Sequence, residues 1–154
     1  RGQRVVLARE QRYEWEYVYG AVEVVEGLAQ FQFLPSVSLE LSRGFLQQIA
    51  QSDLQAEHVV IWDQAGFHPR PADTALPARI HLLPLPPYSP ELNPCEQAWD
   101  VIKDEISNHC YNSINKLRDA LLPSLKRFWE DAEAVLRLVG RPWLRDQANV
   151  SYPD

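Results

Sequence analysis

The feature that most constrains the fold is a proline-stiffened segment that links an apolar run to the start of a helix. The apolar run Ile80–Leu85 leads into PPYSPELNP at positions 86–94. Because proline fixes φ and lacks a backbone N–H, this segment is excluded from central strands and from helix interiors. Asn93 is a good N-cap and Pro94 suits the first helical position, which places Glu96 in the first turn. We therefore expect a buried strand, a rigid turn and a helix that displays a carboxylate.

A second apolar run also ends in a carboxylate. The segment His58–Trp62 is apolar after its first residue, as expected for a strand buried on both faces, and Asp63 follows it directly. Open α/β sheets place ligands at the carboxyl ends of their strands. Hard divalent cations prefer oxygen ligands. The sequence therefore suggests that Asp63 and Glu96 could ligate a divalent metal ion.

The acidic residues near these positions also have simple structural interpretations. Asp63 could cap the loop that follows it by accepting hydrogen bonds from the loop's own amides. Glu96 could complete a capping box with Asn93 and interact with the helix dipole. Glu91 is a rival to Glu96, and it could equally be a solvated turn residue. His68 could contact a phosphate or orient a metal-bound water, or it could simply lie on a surface loop.

Together the two segments resemble motifs of DDE-type transposases from bacterial insertion sequences, specifically the mariner-like branch. In that family the second catalytic acid lies in an Asp-x-Ala-Gly-x-His-like motif. The third lies in Pro-Pro-Tyr-Ser-Pro-Glu-Leu-Asn-Pro-x-Glu-x-x-Trp, which the stretch from Pro86 to Trp99 matches almost residue by residue. A looser resemblance extends from about Gly2 to about Leu122. It implies that Asp63 and Glu96 are catalytic and bind the metal.

The resemblance also implies a fold, a chemistry and a substrate. The fold would be α/β and RNase H-like, with a mixed sheet flanked by helices. The complete site would hold two Mg²⁺ (or Mn²⁺) ions, and the partner would be DNA, as transposon ends and as target. The reaction would be metal-dependent phosphodiester cleavage followed by strand transfer. His68, Glu91 and Asn93 are candidates for contacting DNA or supporting the metal ligands.

One departure from the family pattern concerns the first catalytic aspartate. In the family it lies on a strand upstream of the segment that looks like Gly2-Gln3-Arg4 here, so we expect this chain to lack it. The absence of methionine also fits a fragment or a processed product. Because the first strand is central in that fold, we expect a gap in the sheet, filled by another segment or by a second copy in a homodimer. Glu14 or Glu16 could stand in for the missing acid.

Composition narrows the class of protein. A chain of 154 residues with 45% hydrophobic residues suits one domain with a real core. The net charge of −6 argues against a broad nucleic-acid-binding surface, because phosphates are neutralised by clustered Lys and Arg. No apolar run approaches the roughly 20 residues that span a membrane. Cys95 and Cys110 lack metal-site spacing, and we expect reduced thiols in a cytoplasmic protein.

The chain divides into a core over residues 1–122 and a C-terminal helix and tail over residues 123–154. Local patterns predict the elements within this division. The expected strands are Arg4–Ala8, Tyr13–Val24, Leu28–Leu34, His58–Trp62 and Ile80–Leu85. The expected helices are Leu39–Ala50, one from Pro94 to about Ser107, one capped by Ser113 that is interrupted at Pro123, and Ser124–Leu138, followed by a loose tail from Arg145.

Two functions from different classes fit this sequence. The first is the catalytic core of a transposase, inactive or nearly so as this fragment. The second is a non-catalytic transposase remnant that keeps the fold as a binding or dimerising module. A different RNase H-like nuclease is disfavoured by how specific the Pro86–Trp99 motif is.

Overall fold

The computed structural model describes residues 14–148. The expected strand Arg4–Ala8 and the last six residues of the tail therefore lie outside the described residues. The strands are β1 (Tyr17–Val22), β2 (Ala29–Leu34), β3 (His58–Trp62) and β4 (Ile80–Pro84). The helices are α1 (Leu39–Ser52), α2 (Pro94–Ile106), α3 (Ile114–Glu130), α4 (Ala132–Val139) and α5 (Pro142–Ala148). None of these helices is long and apolar enough to cross a membrane.

The first two strands form an antiparallel hairpin. Tyr17 pairs with Leu34 at the open end and Val22 with Ala29 at the turn, so β1 is shorter than the strand expected from the aromatic run. The chain reverses direction around Glu26-Gly27. Gly27 has φ of +80°, a conformation that glycine adopts without strain. The Glu23 carboxylate closes the turn by accepting the amides of residues 25, 26 and 27.

Helices cover both faces of this hairpin. On one face Tyr19 and Leu34 pack with Phe45 of α1. On the other face, the partly buried side chains of the hairpin pack against a cluster from α2, α3 and α4 that includes Ile102 and Phe128. Alternate residues of a strand point to opposite faces, so each six-residue strand packs against helices on both sides. The hairpin is therefore the centre of a helix–sheet–helix arrangement.

One close approach sets how near α2 lies to the hairpin. A Cβ at Gly20 would lie 2.6 Å from Cζ2 of Trp99, so a glycine is needed at this position. The Trp99 ring meets Phe31 edge to face, with 5.8 Å between the ring centroids. The thiol of Cys95 donates to the Gly20 carbonyl oxygen at 3.4 Å. The N-terminal half of α2, which carries Glu96, is thus seated directly on β1.

The other two strands form a separate parallel pair, in which His58 pairs with Ile80 and Trp62 with Pro84. The expected mixed α/β architecture is confirmed. Within residues 14–148, however, the strands form two two-stranded sheets and not one continuous sheet. Two separate pairs are what a gap at the expected central strand would leave. The RNase H-like topology itself stays a prediction.

The expectations that β3 is buried on both faces and that β4 is a buried strand are wrong. Val60 and Leu82 pack on the cluster around α1, but Val59 is 61% exposed and Leu83 is 53% exposed on the opposite face. An apolar run identifies a strand without indicating how many of its faces are covered. Here the second helical layer lies on the hairpin and leaves this face of β3 and β4 open.

Three helix predictions near the C-terminus also need correction. The helix α3 continues through Pro123, because burial of Leu125 and Phe128 against the core outweighs the lost backbone hydrogen bond. The break falls at Asp131, whose side chain accepts the Ala134 amide and caps α4. The tail is helical as far as Ala148, since Pro142 starts a further helix. The domain division after residue 122 stays a prediction, although α3 runs across it.

A buried hydroxyl joins the two strand pairs. Ser42 of α1 is completely buried, and its Oγ lies 2.9 Å from the Phe67 carbonyl oxygen and 3.0 Å from the Tyr19 hydroxyl. The carbonyl can only accept, so Ser42 donates to Phe67 and Tyr19 must donate to Ser42. This chain of two hydrogen bonds runs from the hairpin, through α1, to the loop after β3.

Replacing Ser42 with alanine should destabilise the protein, because Tyr19 and the Phe67 carbonyl would lose buried hydrogen-bond partners. We expect the free energy of unfolding to fall by roughly 1–3 kcal/mol. Urea unfolding followed by tryptophan fluorescence measures this change. Ser52→Ala is the matched control, since the Ser52 hydroxyl is near the surface at the end of the same helix. Equal effects of the two substitutions would contradict the assigned role of Ser42.

Candidate active site

Asp63 lies immediately beyond the end of β3, as the sequence predicts. Its Oδ1 accepts the Ala65 amide at 2.9 Å and lies 2.5 Å from Nδ1 of His68. The loop-capping interpretation therefore holds for one carboxylate oxygen. Within residues 14–148 no group donates a hydrogen bond to Oδ2, and the side chain is 56% exposed. Capping and ligand binding are thus compatible, because they use different oxygens.

His68 is held against Asp63 and is not a free surface histidine. Its Nδ1 also lies 3.3 Å from the backbone carbonyl oxygen of Asp63. The imidazole ring packs against the rings of Trp62 and Phe67, each with 4.5 Å between ring centroids. The structure therefore brings together two of the residues singled out in the sequence.

The carboxyl ends of β3 and β4 are tied together by backbone and side-chain hydrogen bonds. The Leu85 amide donates to the Trp62 carbonyl at 2.9 Å. Nε2 of Gln64 donates to the Leu85 carbonyl at 2.8 Å, and the Arg70 guanidinium donates to Oε1 of Gln64 at 3.3 Å. Arg70 thus supports Gln64. The loop that contains Asp63 and the proline-rich turn after β4 thus both start at the same edge of this sheet.

Sequence reasoning missed Gln64 and Ser42, two of the residues that fix this loop. Ser42 could have been found, since it lies at helical spacing with Phe45 and Ile49 on the buried stripe of α1. A polar residue inside an apolar stripe is buried with a partner more often than not. Gln64 offers no such signal, because its partner, the Leu85 carbonyl, depends on the register of two strands.

The proline-rich turn has the rigid form expected for it. A short 3₁₀ turn covers Pro90–Leu92, and Glu91 is exposed within it. Tyr88, which precedes it, is fully exposed with φ of +60°, an uncommon conformation for a residue other than glycine. Oδ1 of Asn93 accepts the Cys95 amide at 3.0 Å, which confirms Asn93 as the N-cap of α2. The Asn93 side chain is therefore occupied by helix capping.

Glu96 is the third residue of α2 and is half-buried. The capping box considered for it is absent, because the Asn93 amide donates to the Pro90 carbonyl at 2.9 Å. Within residues 14–148 no hydrogen bond or ion pair uses the Glu96 carboxylate. Asp63 and Glu96 are therefore both fit to ligate a cation by their chemistry. The described part of the chain contains no group of three His, Cys, Asp or Glu side chains placed to hold a metal ion.

The thiol of Cys95, next to Glu96, is unreactive at neutral pH because it stays protonated. Burial raises the pKa of its thiol to about 12, and the charge of Glu96 acts in the same direction. Both cysteines are free, as expected, and Cys110 is exposed. The thiol at the base of α2 therefore serves packing against Gly20, since only a thiolate is a strong nucleophile or metal ligand.

The loop between β3 and β4 has a second anchor on α1. Arg43 binds Asp73 through two hydrogen bonds, Nε to Oδ2 at 2.9 Å and an Nη to Oδ1 at 2.8 Å. Oδ1 of Asp73 also accepts the Ala75 amide at 3.0 Å. The Ala75 amide, then Arg43, lower the pKa of Asp73 below its ordinary value, and partial burial opposes them.

Comparison with known proteins places these residues in a family. The sequence profile of the DDE superfamily endonucleases matches residues 1–118. The chain belongs to this family. It is also 36% identical over 130 residues to the uncharacterized protein y4pE/y4sA of Sinorhizobium fredii, an alignment that covers 84% of this chain and 89% of that protein. No solved structure matches the chain.

Membership of the DDE superfamily endonucleases has direct consequences for the site. The matched region includes Asp63, His68, Glu91, Asn93 and Glu96, and it ends within α3. Members of this family are transposase-like nucleases that act on DNA and typically use divalent metal ions. The helices α4 and α5 follow the matched region.

The two thiols should differ sharply in reactivity. At neutral pH we expect Ellman's reagent to label one thiol per native chain and two per unfolded chain, because Cys95 is buried with a raised pKa. A Cys110→Ser variant should then show no rapidly reacting thiol until urea is added. Rapid labelling of native Cys110→Ser would contradict the packing of α2 on Gly20.

The Asp73 contacts predict a pH dependence. A group with a depressed folded-state pKa stabilises fully above its unfolded pKa, about 3.9 for aspartate, and loses this contribution as the pH falls through the folded value. Asp73→Asn should therefore lower the free energy of unfolding at pH 7 and reduce its decline below about pH 4. Urea unfolding from pH 2 to pH 7 measures both effects. Asp100→Asn, on an exposed helix surface, is the control and should leave the profile unchanged.

Proposed function

We propose that this chain is the catalytic-core region of an insertion-sequence transposase of the mariner-like branch. Such an enzyme cleaves DNA phosphodiester bonds and then joins the strand to a target. The observation that carries the proposal is the position of Asp63 at the end of β3, where one oxygen is held and no donor within residues 14–148 reaches the other. Its place in the family-matched region and the close motif match around Glu96 support the same assignment.

Each acidic residue has a separate role in this proposal. Asp63 is rigidly placed by its loop and would bind the cation through Oδ2. Glu96 lies in the first turn of α2, whose direction is set by the proline-rich turn before Asn93. Its carboxylate would be the second ligand of the cation. When bound, Mg²⁺ or Mn²⁺ supplies the positive charge that activates an attacking hydroxyl and stabilises the leaving oxygen. The two carboxylates would bind this cation near the edge of the sheet where β3 and β4 end.

A third carboxylate would complete the site. Within residues 14–148 no group of three His, Cys, Asp or Glu side chains could hold a metal ion, so we propose that the third carboxylate is a first catalytic aspartate on another segment. A strand in the gap between the two strand pairs would supply it, and a homodimer could also fill that gap. With two carboxylates alone we expect weak metal binding and little or no cleavage.

A non-catalytic module is the second candidate function. The open face of β3 and β4, with Val59 and Leu83 exposed, favours it, because exposed apolar patches often mark sites of protein interaction. The net charge of −6 also favours it, since a surface of that sign repels DNA. In this case Asp63 and Glu96 would act only in local structure.

Metal binding separates the two candidates. We expect the chain to bind Mn²⁺ saturably in calorimetric titration, and expect Asp63→Ala and Glu96→Ala each to abolish the binding, because each removes a direct ligand. Glu91→Ala is the matched control, since Glu91 is an exposed acid in the same segment and should leave the affinity unchanged.

The other outcomes are equally informative. Loss of binding in Glu91→Ala instead of Glu96→Ala would move the third catalytic acid to position 91. No binding by the unsubstituted chain at millimolar Mn²⁺ would favour the non-catalytic module. Thermal melting of every variant checks that the fold is retained.

A further inference from the structure

We propose that His68 is a positioning residue for Asp63, which it holds by Oδ1 so that Oδ2 is left free for a divalent cation. The inference rests on the proposed metal-dependent function and adds a part to it. His68 does not bind the cation in this arrangement; it acts through the carboxylate. The proposal depends on three features of the structure: the hydrogen bonds of the imidazole, its packing and the contrast with a second histidine–carboxylate pair.

The hydrogen bonds determine how the imidazole is oriented. Nδ1 lies 2.5 Å from Oδ1 of Asp63 and 3.3 Å from the Asp63 carbonyl oxygen. Both oxygens are acceptors, so Nδ1 carries the proton and donates. Oδ1 receives the Ala65 amide as well. The Ala65 amide and the His68 imidazole therefore both contact one oxygen of Asp63, and this arrangement restricts the rotation of the carboxylate.

The packing makes His68 a firm support. Its side chain is 15% exposed, whereas that of Asp63 is 56% exposed. The imidazole lies against the rings of Trp62 and Phe67, and the Phe67 carbonyl is anchored by the buried hydroxyl of Ser42. An exposed aspartate would otherwise sample several rotamers. Here the partly buried His68, whose neighbour Phe67 is bound to α1 through Ser42, restrains it.

A second histidine–carboxylate pair shows that contact alone does not create such a support. Nε2 of His81 lies 2.8 Å from Oε2 of Glu57, close to the distance in the Asp63 pair. Both of these side chains are exposed, and among the described residues no aromatic ring packs against the imidazole. His81 is therefore a suitable control for removing a histidine that pairs with an acid.

The test uses three substitutions of His68 and two measurements. Phenylalanine keeps a ring for packing against Trp62 but cannot donate, alanine removes both properties, and asparagine can donate from a similar position. Mn²⁺ affinity is measured by calorimetry. Exchange of the Ala65 amide with deuterium is measured by NMR without metal, because that amide reports on Asp63 directly. Asp63→Ala is the reference, and His81→Ala is the control.

We expect His68→Phe and His68→Ala to weaken Mn²⁺ binding about 10- to 100-fold, the usual loss when a group that orients a metal ligand is removed. The Ala65 amide should exchange faster in both variants and approach its rate in Asp63→Ala. His68→Asn should recover most of the affinity and protection. His81→Ala should match the unsubstituted chain in both measurements.

Failure of this inference is distinguishable from failure of the proposed function. Unchanged Mn²⁺ affinity and unchanged Ala65 exchange in His68→Phe would overturn the positioning role. If Asp63→Ala still abolished Mn²⁺ binding in the same experiments, the proposed metal site would remain supported. If the unsubstituted chain binds no Mn²⁺, the proposed function fails in this chain. The exchange rate of Ala65 then decides alone whether His68 positions Asp63.

Discussion

The parallel pairing of β3 with β4 is the constraint on which the candidate site depends. Parallel strands end at the same edge of a sheet, and here Trp62 and Pro84 are paired at that edge. The pairing continues beyond the strands, first through the Leu85 amide and then through the side chain of Gln64. Without this register Asp63 and the proline-rich turn would not leave the sheet at the same edge.

Polar groups, and not only apolar burial, attach the loop after β3 to the core. Ser42 donates to Phe67, and Arg43 binds Asp73, so successive residues of α1 hold two separate points of the same loop. Each contact satisfies a group that would otherwise be costly to bury. A loop with few large apolar residues can therefore keep Asp63 in one place. This rigidity matters for a carboxylate that must meet a cation in a defined geometry.

The position of α2 has a different physical origin, which is close packing. Trp99 lies so close to Gly20 that a side chain at position 20 would collide with it. The contact seats α2 on the hairpin and leaves one face of β3 and β4 open, with Val59 exposed. The acid of the second motif is therefore carried by an element that packs on one strand pair, whereas Asp63 follows the other. In the proposed arrangement, a further strand between the two pairs would join the two halves of the site.

The sequence by itself determined the local elements and the capping at their ends. Asn93 and Pro94 start α2 where their side-chain chemistry predicts, and Ser113 does the same for α3, because a cap needs only neighbours along the chain. The family was also recognisable from short motifs, whose residues are consecutive.

Only the tertiary structure decided the features that depend on distant partners. The continuation of α3 through Pro123 required burial of Phe128, which outweighs the local preference of proline. Whether a strand face is covered depends on where a helix from another part of the chain packs, so the exposure of Val59 could not be read from its apolar neighbours. The pairing of His68 with Asp63 likewise depends on the fold of the whole loop, which Ser42 holds from another helix.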